Sequence, residues 1–247
     1  MKKLFKIAAL LLFTAFITDI PLQNYAFASK TVKTLKVIKI FNDRDTGTAS
    51  LTGKGENFFT DLKVNICFEN NNPYEIFLED GYSPYIETFD FGAEDKLLFC
   101  SSQTGGSGGY GNYRVYRIQT DSYKLLYDDK LNSNNSEFTA VFKPNGFIEI
   151  LNNFSQHTLE IYVGYMDAEF YNQIFAPDGT VKGEPPFIND ISFVSPALSS
   201  ASGFYNLTAY RSVSAIAEVN RLGYIVQNLN FDGNSFYPAF TEFSIAF

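Results

Sequence analysis

Apolar and polar positions alternate in short stretches along most of this chain. Leu62, Val64, Ile66 and Phe68 interleave with Lys63, Asn65 and Cys67. A period of two is that of a half-buried strand, and it puts Cys67 on the polar face. Tyr74, Ile76 and Leu78 repeat the pattern after Asn70-Asn71-Asn72-Pro73, a turn signal. Residues 96–102 are a continuous apolar run that turns polar, which fits a central strand. Residues 112–118 and 123–127 predict two more strands, split by Thr120-Asp121-Ser122.

Downstream, residues 137–142 and 147–151 flank Lys143-Pro144-Asn145-Gly146, a hairpin signature. Residues 158–163 alternate, and Pro177-Asp178-Gly179 marks a tight turn. Residues 222–231 end at Asp232-Gly233, again a hairpin signal. Residues 212–221 suit a strand or a short helix. Residues 181–202 carry Pro185, Pro186 and Pro196 and are expected to be irregular at their ends. No long amphipathic helix and no linker of distinctive composition appears. Many short strands with recurring turns predict an all-β, antiparallel fold: a propeller, a sandwich or a barrel.

The N-terminus departs from this pattern. Lys2, Lys3 and Lys6 precede an apolar run over residues 7–17, and Ala26-Phe27-Ala28 follows. This is the order of a secretory signal, with cleavage after Ala28 and Ser29 as the new N-terminus. The run is about 11 residues, short of the roughly 20 that span a bilayer as a helix. Residues 29–247 are then expected as a single secreted β-rich domain, released or held non-covalently at the cell envelope, with no membrane insertion.

The formal net charge is −8, and loss of the three leader lysines makes it more negative. An acidic chain without a basic cluster is a poor ligand for phosphate backbones, so nucleic acid is excluded as the expected partner. Charge alone does not attract it to anionic lipid or anionic wall polymers either. There are 26 Phe, 16 Tyr and no Trp. Strand cores absorb such residues, and an exposed aromatic patch that binds a ligand is the other reading.

Candidate chemistry is sparse. Residues 105–109, Gly-Gly-Ser-Gly-Gly, match G-x-S-x-G around Ser107. A nucleophile elbow needs a helix next, yet residues 112–118 are strand-like. A structural connection between two antiparallel strands is therefore expected, and a hydrolase using Ser107 is the alternative function. His157 is the only histidine and sits in the polar run Ser155-Gln156-His157-Thr158, where a turn residue is expected. Asp43 and Asp45 precede Gly47 at D-x-D-x-G spacing, and Asp90 and Asp95 form a looser acidic pair. These four are candidate calcium ligands or plain solvated turns, since calcium takes six to eight oxygens; no other cofactor is implied. Cys67 and Cys100 can form a disulfide in an oxidising compartment, stabilising by about 3–4 kcal/mol in the chain-entropy model. Two unpaired thiols are the alternative.

Through residues 89–99, Phe-Asp-Phe-Gly-Ala-Glu-Asp-Lys-Leu-Leu-Phe, followed by Ser102-Gln103-Thr104-Gly105-Gly106-Ser107-Gly108-Gly109-Tyr110 and a tyrosine-rich strand, the stretch 33–118 resembles secreted proteins of Gram-positive bacteria with FG-GAP/VCBS-type repeats. Residues 205–211 and 222–225 resemble the end of such proteins. The resemblance implies a propeller-like arrangement of small antiparallel sheets, about four or five blades at about four strands each. It implies no reaction. The acids at Asp90 are fewer than the family's metal loop holds. The expected function is a secreted, non-enzymatic scaffold whose ligand is a glycan, a cell-wall component or a protein.

Overall fold

The computed structural model describes residues 31–41, 45–69, 71–93, 96–106, 109–133 and 137–245. The leader with its cleavage position, Asp43, Asp95 and Ser107 lie outside the described residues. Val32–Phe247 forms one compact unit.

The order of elements is β1 (Val32–Phe41), β2 (Thr46–Gly55), β3 (Phe58–Phe68), β4 (Tyr74–Phe77), β5 (Gly81–Phe89), β6 (Leu97–Gln103), β7 (Gly111–Ile118) and β8 (Tyr123–Asp128). A four-residue helix α1 (Asp129–Asn132) follows, then β9 (Phe138–Lys143), β10 (Phe147–Asn152), β11 (Thr158–Tyr162) and α2 (Ala168–Ile174). The chain closes with β12 (Phe187–Leu198), β13 (Tyr205–Ala215), β14 (Ala217–Phe231) and β15 (Phe236–Ile245). Every strand pairing is antiparallel.

The described strands make three sheets, of eight, three and four strands. Sheet 1 runs β1-β2-β3-β5-β6-β7-β8, with β4 paired to β3; sheet 2 is β11-β10-β9; sheet 3 is β12-β13-β14-β15. These unequal layers stack through shared cores and fit a sandwich. They are not a set of four or five repeated four-stranded blades.

Sheet 1 bends over its own core. Leu98, Cys100, Tyr116 and Ile118 from β6 and β7 pack with Leu51, Leu62, Val64, Ile66 and Phe68 from β2 and β3. The bend brings β1 to β5, where Lys36 Nζ meets Glu87 Oε2 at 2.9 Å and lies over the Tyr85 ring. The opposite face of the same strands, Leu97, Phe99, Tyr113 and Val115, packs on Ile191, Val194, Leu207 and Leu229 of sheet 3. β6 is thus buried on both faces, which is why Leu97-Leu98-Phe99-Cys100 is continuously apolar.

Sheet 3 covers two cores with one face. One end of β13 gives Leu207 and Ala209 to the core shared with sheet 1. The other end gives Val213 and Ala215 to a core with Phe142, Ile148, Ile150, Ile174 and Phe175 of sheet 2 and α2. Asn145 (φ 66) and Gly146 (φ 82) make the turn between β9 and β10; asparagine and glycine are the residues that take this left-handed backbone most readily.

The two thiols are free. Cys67 is on β3 and Cys100 on β6, and β5 lies between those strands in the sheet order. Ile66 and Phe68 point into the core with Cys100, so the period of two turns Cys67 out to solvent. Of the two alternatives, a disulfide or two unpaired thiols, the structure holds the second.

Candidate functional site

A strip of polar side chains separates the two cores under sheet 3. Along β13 the inward positions are Leu207, Ala209, Arg211, Val213 and Ala215, so a guanidinium occupies the middle of an apolar stripe. Arg211 is 1% exposed. Its Nη1 donates to Ser133 Oγ at 3.3 Å and its Nη2 to the Asn132 carbonyl at 3.2 Å. Glu137 Oε2 is 3.6 Å from Nη2, and Gln227 Nε2 on β14 donates to Glu137 Oε1 at 2.7 Å. Ser133 Oγ also accepts from the Ile191 amide at 3.2 Å and donates to Asp190 Oδ1 at 3.0 Å.

Burial sets the ionisation of this strip. It lowers the Arg211 pKa against the pull of Glu137, and it raises that of Glu137 against the Gln227 hydrogen bond. Beside it, burial raises Asp129 to about 6, although Asp129 Oδ1 accepts from the Tyr113 amide at 2.7 Å. Asp128 caps α1 by accepting from the amides of Lys130 and Leu131, and it accepts from Arg114 Nε at 2.7 Å. Arg114 also pairs with Glu79. Arg211 with Glu137, and Arg114 with Asp128 and Glu79, are paired within the fold, while Arg211 Nε is buried without a hydrogen-bond partner; mutual pairing is the pattern of a structural network.

The open chemistry lies at the edges of sheets 2 and 3. β11 and β15 are both edge strands. Between them is a cleft of about 510 Å³. Phe138, Ile150 and Ile225 are buried at its base, while Asn152, Ser155, His157, Thr158 and Thr241 supply polar groups. Leu159, 41% exposed, and Phe240, 56% exposed, present apolar surface there. His157 sits in the turn that joins β10 to β11, its carbonyl accepting from the Asn152 amide at 2.9 Å. The turn position read from the sequence is correct. Its place in a cleft depends on residues far along the chain.

A second recess, of about 440 Å³, lies across β15 on the other face of sheet 3, and both recesses share Ala239 and Phe240. The cause is a bulge. β15 pairs Phe240 with Asn228 and Pro238 with Leu229, which leaves Ala239 as the extra residue. Bulges re-aim neighbouring side chains, and this one sets Phe240 at the rim of both recesses.

The other candidates stand apart from this surface. Residues 104–111 link β6 to β7, which pair with Gln103 opposite Gly111. Thr104 N donates to the Tyr110 carbonyl at 2.9 Å. A strand follows the loop, so the nucleophile-elbow context is not met. Asp45 directly precedes β2. Asp90 Oδ1 accepts from the Gly92 amide at 2.9 Å, and the Asp90 carbonyl from the Tyr205 amide at 2.7 Å. Among the described residues no three His, Cys, Asp or Glu side chains are grouped to hold a metal. Among them, too, no helix is long and apolar enough to cross a membrane.

Residues 136–244 match the family model described as the YybI C-terminal domain. The match takes in sheets 2 and 3 and every residue lining the cleft; the eight-stranded sheet lies outside it. The chain is also similar to the "Uncharacterized protein YybI" of Bacillus subtilis (strain 168), 21% identical over 159 residues, which is 63% of this chain and 60% of that protein. The aligned part thus spans less than two thirds of that relative's length. No solved structure matches.

Proposed function

We propose that this chain is an exported, non-enzymatic β-scaffold that binds an extracellular ligand in the cleft between β11 and β15. The observation that carries this reading is the cleft itself. Its volume, about 510 Å³, falls in the range of small-ligand sites, and an apolar base with a few polar groups at the rim is their usual construction. The leader pattern at residues 2–28 and the resemblance to FG-GAP/VCBS-type secreted proteins support export. The strand that follows the glycine loop supports a scaffold over a hydrolase.

The test is retention of the purified protein on isolated Gram-positive cell envelopes. Leu159→Arg places a charge at the exposed edge of the cleft and is expected to abolish retention with an unchanged melting temperature. Wild-type protein that stays in the supernatant, or a variant retained as well as wild type, overturns the reading.

A further inference from the structure

We infer that the ligand is an uncharged polysaccharide that crosses the β15 edge over Phe240 and occupies both recesses. This deepens the binding reading above and rests on it.

The first argument is the chemistry of the two linings. Their polar groups are carboxamides, hydroxyls and one imidazole: Asn152, Ser155, His157, Thr158 and Thr241 in the cleft, and Asn206, Asn228 and Asn230 with Ser199 and Ser200 in the second recess. Neither lining contains an Asp, Glu, Lys or Arg side chain. Amides and hydroxyls both donate and accept, as sugar hydroxyls do. An ionic ligand would leave its charge uncompensated there, and a protein of net charge −8 repels polyanions.

The second argument is orientation. Thr208 Oγ1 donates to Asn228 Oδ1 at 3.1 Å. That bond fixes the amide and aims its Nδ2 hydrogens away from Thr208. Asn228 lies directly opposite Phe240 in the β14–β15 register. A fixed donor therefore stands beside an exposed aromatic ring. A pyranose ring has that dual demand, with C–H groups on its faces and hydroxyls around its rim.

The third argument separates this ligand from an added peptide strand. An edge that recruits a strand must offer a regular row of amides. β15 has Pro238, which has no amide hydrogen, the bulge at Ala239, and Glu242 further along. These features blunt an edge against strand addition, so recognition here falls to side chains.

The experiment is affinity electrophoresis in native gels containing dextran, soluble starch or mixed-linkage β-glucan, with polygalacturonate and wall teichoic acid as anionic probes. Retardation by at least one neutral glucan is expected, unchanged between about 50 and 500 mM salt because the glucan carries no charge to be screened. Phe240→Ala should weaken it about tenfold, and Asn228→Ala by a similar factor, about 1.4 kcal/mol each. Phe240→Tyr should retain it, which separates ring stacking from misfolding. Retardation by none of the three glucans, or by the anionic polymers alone, overturns the inference. Envelope retention that is lost in Leu159→Arg while every neutral glucan fails leaves the binding reading standing and removes this one; failure of both assays removes both.

Discussion

Glu137 and Gln227, 90 positions apart, meet side chain to side chain at 2.7 Å in the strip between the two cores, with Arg211 on the far side of the carboxylate at 3.6 Å. The glutamine and the arginine divide the two oxygens of one buried acid. Removing either partner leaves charge or hydrogen-bonding capacity stranded away from water.

Arg211→Met should therefore lower stability by about 3–5 kcal/mol, the usual cost of breaking a buried pair from one side. Adding Glu137→Gln should recover part of that loss, because the orphaned charge is then removed. Urea unfolding of wild type, single variant and double variant measures both steps. A double variant less stable than Arg211→Met would contradict the account.

Asp129 gives a pH signature. Burial holds its carboxyl at about 6, above the ordinary 3.8. The folded chain then binds this proton more tightly than the unfolded chain. Its contribution is complete below pH of about 4 and is lost as pH climbs through about 6. Asp129→Asn keeps an oxygen for the Tyr113 amide and drops the charge. Relative to wild type it should gain about 2 kcal/mol between pH 4 and pH 7. Parallel pH–stability curves for the two proteins would refute this.

The cysteines should differ in reactivity. Cys67 is exposed, whereas Cys100 is buried and its thiol pKa is raised by that burial. A thiol reagent should label Cys67 in the native protein and reach Cys100 only on unfolding. Mass spectrometry after labelling counts the adducts, and two adducts on folded protein would contradict the packing.

Gly106 tests the loop. Its φ is +103, and a Cβ there would meet nothing within 4 Å, so any penalty comes from the backbone alone. Gly106→Val should cost about 1–2 kcal/mol and leave envelope retention intact. An unchanged melting temperature would show that the turn adapts.

Much of the strand order is legible in the sequence because alternation and turn residues are local. The segments at β3, β4, β6–β11 and β14 all follow from them. β2 is obscured in the sequence because Gly47, Gly53 and Gly55 dilute its apolar pattern. β5 carries Pro84 and β12 carries Pro196, yet both are strands; β12 is an edge, where proline is tolerated. Residues 212–221 are strand, bent sharply at Ile216 (φ 64). The cleft was not legible, since residues 138–159 and 225–241 come together only through sheet packing. Arg211 left a trace that could have been read: it falls in step with Leu207, Ala209, Val213 and Ala215, and a cation on an apolar stripe needs buried acceptors.

The stretch matched by the family model begins at residue 136, and that boundary cuts through the arginine's surroundings. Asn132 and Ser133, which accept from Arg211, lie just outside it, as do Phe99, Tyr113 and Val115, which cover Leu207 and Leu229. In this chain the matched stretch therefore does not close its own core: half of sheet 3 takes its oily lid, and Arg211 takes two oxygens at the rim, from residues that precede position 136.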